Sequence, residues 1–168
     1  MMCRLQPDLY LPTYDALTPE YLKEKGICAL ILDVDNTLAP YEQPHPDQKL
    51  LAWMDHMTRS GISLCVVSNN HTGRIELFCQ DMQIPVIPAA HKPMPKGMRR
   101  AMAEMQSTKE TTAAMGDQIF TDIWAARWAK LKWAILVPPI RDKRDLFTRF
   151  KRLCEKPVMR RYRKKNKT

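Results

Sequence analysis

Two carboxylates one residue apart, Asp33 and Asp35, follow directly on four apolar residues, Ala29-Leu30-Ile31-Leu32. A short apolar run bounded by polar residues is the pattern of a strand buried on both faces. Extended backbone alternates its side chains, so both aspartates point to one side and Val34 to the other. Like charges that close are costly unless something positive lies between them. A hard divalent cation, which prefers carboxylate oxygens, answers that need; an ordinary acidic surface turn would not require a buried strand in front of it. Three further polar clusters share the context, each just beyond an apolar run. These are Ser68-Asn69 after 62–67, Lys92 beyond 84–87, and Asp117 with Asp122 after 112–115.

The elements that must position these groups alternate along the chain. Residues 1–17 carry prolines and tyrosines without periodicity and read as an irregular lead-in. Thr18-Pro19-Glu20 opens a helix, with Thr18 as N-cap and Pro19 at the first helical position, and Gly26 ends it. Strands are expected at about 28–33, 62–67, 84–87, 112–115 and 133–137. Helices are expected from His45 or Asp47 to Arg59, and over 73–82, 96–106 and 122–130. Strand–helix alternation predicts an α/β fold, a three-layer Rossmann-like parallel sheet with helices on both faces. In such a sheet, groups that follow strands gather along one edge, where an active site forms.

Asp-Val-Asp-Asn-Thr-Leu from Asp33 resembles the first motif of the haloacid dehalogenase (HAD) phosphatases, Asp-x-Asp-x-Thr/Val after an apolar strand. Val-Val-Ser-Asn-Asn, Ala-His-Lys-Pro and Gly-Asp-Gln-Ile-Phe-Thr-Asp resemble the second, third and fourth, in the family's order. The resemblance implies a Mg²⁺-dependent phosphomonoester hydrolase. Asp33 would attack phosphorus and form an aspartyl-phosphate; Asp35 would act as general acid and then general base. The metal would be held by Asp33, Asp35 through its carbonyl, and Asp117. Phosphate would be bound by Ser68, Asn69 and Lys92, with Thr37 and Asp122 orienting the site. Lys96 competes with Lys92 for the third motif. Arg74 is either a guide for an anionic substrate or a helix-surface charge. The four histidines fit no ligand spacing. Met94, Met98, Met102 and Met105 follow helical spacing and read as a core face, and Trp124 and Trp128 as packing residues.

The gaps from Thr37 to Ser68 and from Ser68 to Lys92 are too short for a cap domain, so the site is expected to be open. Over most of its length the chain is similar to the YqeG family of capless, subclass IIIA phosphatases, through Pro7-Asp8-Leu9-Tyr10, Lys25 to Leu38, Ser68-Asn69-Asn70 with Arg74, Ala90 to Pro93, Gly116 to Ile123, and Ile135 to Pro138. That family is related to the mitochondrial phosphatidylglycerophosphate phosphatase of fungi, which implies a lipid phosphatase yielding phosphatidylglycerol. The chain departs from the family at Trp124-Ala125-Ala126-Arg127, where small residues and an asparagine are usual; the family's substrate contacts near that helix do not carry over by resemblance, whereas the metal ligands do.

Composition sets bounds. A chain of 168 residues suits one core. Five scattered cysteines, with no Cys-x-x-Cys, argue against a structural zinc and for reduced thiols in the cytoplasm. No apolar run spans a bilayer, and no signal-peptide core is apparent. The net charge of +9 is concentrated. Residues 141–168 hold 13 Lys and Arg against three acidic residues, whereas 1–140 hold 14 against 15. The expected organisation is a phosphatase domain over 1–140 and a basic extension over 141–168. Within the extension, 145–156 place Leu146, Phe147, Phe150 and Leu153 on one helical face and mostly basic residues elsewhere, as in a helix lying on an acidic membrane. The alternative is that this apolar face packs on the domain. Rival functions are a soluble sugar-phosphate phosphatase and a nucleic-acid- or ribosome-associated protein that uses the basic segment.

Overall fold

The computed structural model describes residues 5–71, 73–141 and 155–163. Six parallel strands form its sheet: β1 (Leu9–Tyr10), β2 (Ala29–Leu32), β3 (Ser63–Val67), β4 (Val86–Ile87), β5 (Thr112–Gly116) and β6 (Trp133–Leu136). Their order is β1-β6-β5-β2-β3-β4. The strand that carries the aspartates is therefore central, between β5 and β3, with Leu32 paired to both Met115 and Val66.

The helices are α1 (Pro19–Glu24), α2 (Gln48–Arg59), α3 (Arg74–Cys79), α4 (Lys96–Glu104) and α5 (Trp124–Trp128). A further helix, α6, covers 155–163. Alternation along the strands divides the core in two. Leu30, Leu32, Val66 and Met115 pack with α1, α2 and α3, while Ile31, Cys65, Val67 and Ala114 pack with α4 and α5. The result is the expected three-layer α/β sandwich, with no segment between the strands large enough to form a cap.

Local chemistry sets the helix starts. Thr18 caps α1 by accepting the Tyr21 N–H at 3.3 Å, and Asp47, rather than His45, caps α2 by accepting the Leu50 N–H at 2.8 Å. Cys65 and Cys79 are buried thiols whose pKa values burial raises to about 12 and about 11, so they remain protonated packing groups.

Three expectations need correction. The lead-in contains β1 and a 3₁₀ turn at Tyr14–Ala16. β1 spans two residues and is held by parallel pairing of Leu9 to Ile135, a long-range contact that leaves no periodicity. Met94 is 51% exposed although Met98 is buried, because it lies in the turn before α4. Trp128 is 47% exposed and stacks on Trp124, with ring centroids 6.5 Å apart, instead of entering the core. The apolar face expected over 145–156 falls mainly on residues 145–154, which lie outside the described residues.

Candidate active site

All strands run parallel, so their carboxyl ends share one edge. There Asp33, Asp35, Ser68, Asn69, Lys92 and Asp122 line an open pocket of about 230 Å³, together with Asn70, Gln118 and Thr121. Beyond Leu32 the chain leaves the sheet in a tight turn. The N–H groups of Thr37, Leu38 and Ala39 all donate to the Val34 carbonyl, at 3.0–3.2 Å, and Asn36 takes the left-handed conformation at φ 65°. Asparagine tolerates that conformation better than a branched residue would. The turn sends Asp35 and Asp33 to the same pocket and brings the Thr37 hydroxyl within 2.8 Å of Asp33 Oδ2.

Lys92 is the hub. Its Nζ donates to Asp33 Oδ1 at 2.6 Å, Asp122 Oδ1 at 2.6 Å and the Val67 carbonyl at 2.9 Å, so all three protons are used. Lys96 is instead the first residue of α4, so the geometry favours Lys92 for the third motif. Asn69 ties the loops together. Its Nδ2 donates to the Lys92 carbonyl at 3.0 Å, and its Oδ1 accepts the Lys92 N–H at 2.6 Å. One amide proton of Asn69 is left for a ligand. Ser68 is buried, and its Oγ accepts the Asn70 N–H at 3.1 Å.

Asp122 leans back over β5. Its Oδ2 accepts from the Gln118 N–H and the Thr121 hydroxyl, both at 3.1 Å. A Cβ built on Gly116 would lie 2.3 Å from Asp122 Cγ, so only glycine permits this approach. The carboxylates of Asp33, Asp117 and Asp122 are buried, and one oxygen from each lies within 4.8 Å of the others. Three carboxylates against one lysine leave a net charge of −2 when all are ionised. That donor set, oxygen-only and doubly negative, fits a hard divalent cation.

The electrostatics agree. Burial raises the Asp33 pKa to about 6; Lys92 opposes the rise and Asp122 adds to it. Burial disfavours the Lys92 ammonium, but Asp122 and Asp33 outweigh it and hold the group protonated, above its ordinary range. At neutral pH Asp33 is mostly ionised and Lys92 fully so.

Several features were not legible in the sequence. Arg74 is neither a surface charge nor a free guide. Its side chain is 12% exposed, and its Nη2 and Nε bond Asp35 Oδ1 at 2.7 and 3.0 Å. The same guanidinium donates to the carbonyls of Gln43 (2.7 Å) and Pro40 (3.1 Å), with the Tyr41 ring centroid 4.9 Å away. It thus clamps Asp35 to the loop that follows it. Gln118 and Thr121 enter the pocket because an i→i+5 turn over Ile119–Ile123 precedes α5. His71 and His91, far apart in sequence, meet with ring centroids 5.2 Å apart, flanking Asn70 and Lys92. The only signal for them was adjacency to the motifs.

Comparison with known proteins agrees with this geometry. The family model for haloacid dehalogenase-like hydrolases matches residues 12–130. A Bacillus subtilis (strain 168) protein named "Probable phosphatase YqeG" is 35% identical over 153 residues, covering 91% of this chain and 88% of that protein. An uncharacterized protein from Listeria monocytogenes serotype 4b superposes with a TM-score of 0.55 at 16% identity, over 71% of this chain and 85% of its own. The cobalt-bound deoxy-D-mannose-octulosonate 8-phosphate phosphatase of Haemophilus influenzae gives 0.50 at 20% identity, over 67% and 69%. Identities this low speak to the fold alone.

Proposed function

The chain belongs to the haloacid dehalogenase-like hydrolases and is a phosphatase of the YqeG kind, and from that premise we propose that it hydrolyses a phosphomonoester on an anionic lipid headgroup, phosphatidylglycerophosphate, with Mg²⁺ as its cation. The observation that carries the reading is the uncapped pocket. Among the described residues nothing lids Asp33 and Lys92, so a phosphate on a bulky headgroup reaches them from the surface, whereas a lidded site would have to enclose its substrate.

In this reading Asp33 is the nucleophile. Thr37 and Lys92 bond its two oxygens and fix the carboxylate's plane, so that the group meets phosphorus in one orientation. The attack forms an aspartyl-phosphate and expels the alkoxide of the headgroup. Asp35, two residues on and held by Arg74, donates a proton to that alkoxide and then takes one from the water that hydrolyses the intermediate. Ser68 and the remaining amide proton of Asn69 bind phosphate oxygens, and Lys92 supplies positive charge beside them. Asp33, Asp117 and the Asp35 carbonyl would hold the cation, with Asp122 keeping Lys92 in place. When bound, the cation offsets the charge of the phosphate and of the carboxylate that approaches it.

The test is release of inorganic phosphate from phosphatidylglycerophosphate in mixed micelles, beside soluble sugar phosphates and a nucleic acid bearing a terminal phosphate, with and without Mg²⁺. Asp33→Asn is the blank. Release from the lipid that far exceeds release from the other substrates is expected. Preference for a soluble monoester or for nucleic acid would keep the phosphatase and discard the lipid.

A further inference from the structure

We propose that α6 forms a cationic ridge on the rim of the active site, which draws the enzyme to an acidic bilayer by charge, with no apolar face of 155–163 left to insert. This rests on the reading of the substrate as a lipid phosphate and adds how that substrate is reached.

Two contacts locate α6. Glu155 Oε1 accepts the Ile119 N–H at 2.9 Å, next to Gln118 in the pocket wall. Tyr162 Oη accepts the Tyr10 N–H at 3.1 Å, at the end of edge strand β1. β6 lies between β5 and β1, so these anchor points are two strand spacings apart, about 10 Å. Seven helical residues rise by about the same distance. The helix therefore runs across the strands, along the carboxyl edge of the sheet, beside the pocket mouth.

Helical periodicity then divides its residues. Glu155, Val158, Met159 and Tyr162 face the protein: Glu155 and Val158 are buried, and Val158 and Met159 join the core beneath α4 and α5. Lys156, Arg160, Arg161 and Arg163 are exposed. No acidic residue interrupts them, and among the described residues none of the four is in an ion pair. The apolar face of α6 is thus consumed by docking, so 155–163 has none to embed in lipid. What it offers outward is four cations beside the pocket wall, unpaired among the described residues. Acidic lipid attracts such charges, and salt screens the attraction.

The experiment is co-sedimentation of the full chain with phosphatidylcholine vesicles, with or without phosphatidylglycerol, at low and raised salt. The variant K156Q/R160Q/R161Q/R163Q is run alongside, and turnover of p-nitrophenyl phosphate verifies fold and chemistry in both. Expected are binding to the acidic vesicles only, its loss at raised salt, at least about a tenfold weaker binding by the variant, and equal turnover of the soluble ester. Binding of the variant equal to that of the native chain, salt-resistant binding, or native binding to an RNA homopolymer in preference to acidic vesicles would overturn the proposal. Hydrolysis of micellar phosphatidylglycerophosphate without vesicle binding would sink the ridge alone. Vesicle binding without hydrolysis of that lipid would sink the substrate and leave the ridge.

Discussion

Replacing Lys92 by methionine removes the one cation that the described structure places among three buried carboxylates. The side chain is 3% exposed and holds Asp33 and Asp122 at 2.6 Å each. Solvent screens little at that depth, so a cost approaching that of an orphaned buried charge applies, at most about 3–5 kcal/mol. With Lys92 gone nothing opposes the burial that raises the Asp33 pKa, so proton uptake by Asp33 relieves part of the added negative charge; what remains is still a large loss for a domain whose total stability is of order 5–15 kcal/mol. The pocket's charge also fixes a sign. In the native background Asp122→Asn breaks a bond to Lys92 and is destabilising, by about 1–2 kcal/mol. In the Lys92→Met background the same change removes a repelling carboxylate and is stabilising. Urea unfolding of the four proteins in chelator at neutral pH measures both effects and their coupling. A Lys92→Met protein within about 0.5 kcal/mol of native, or an Asp122→Asn effect of the same sign in both backgrounds, would refute the account of the pocket's electrostatics.

Gly116→Ala pushes a methyl group against Asp122, costing about 1–3 kcal/mol. Because Asp122 shifts with Lys92, turnover falls by roughly a hundredfold, and steady-state kinetics beside thermal unfolding checks both effects. In the proposed reaction divalent-cation binding depends on Asp33 losing its proton. With the folded pKa at about 6 against an ordinary 3.8, the metal-free fold holds an extra proton between those values, so metal-free stability declines as pH rises through that window. Cation affinity, read by calorimetry, strengthens through about pH 6 and levels off above it; affinity that weakens with rising pH would contradict the assignment. Arg74→Gln frees Asp35 from its clamp, and kcat/KM drops on the order of tenfold to a hundredfold, with a changed pH profile and little effect on cation affinity.

Much of the architecture could be read from short apolar runs, because a strand buried on both faces admits few polar residues, and those only with partners, as Thr112 has in Ser107 and Thr108. Such runs marked β2, β3 and β5, and the polar residues at their ends are the ones that meet at the carboxyl edge. β1 escaped because two residues carry no period, and its stability comes from β6, more than a hundred residues away. Arg74 escaped for a related reason. Its partners are Asp35 and the carbonyls of Pro40 and Gln43, and a salt bridge across 39 positions has no local signature. Gln118 and Thr121 reach the pocket through the wide turn ahead of α5, which depends on Gly116 admitting Asp122. The docking of α6 by Glu155 and Tyr162 likewise joins residues that only the folded sheet brings together.

The proposed reaction places the phosphoryl group on Asp33. Rapid quenching of the enzyme during turnover of a soluble phosphomonoester, followed by borohydride reduction and peptide mass spectrometry, reads it directly. Conversion of residue 33 to homoserine, absent in Asp33→Asn, is the predicted result. Steady turnover with no trapped intermediate, or a trapped group on any other residue, would contradict it.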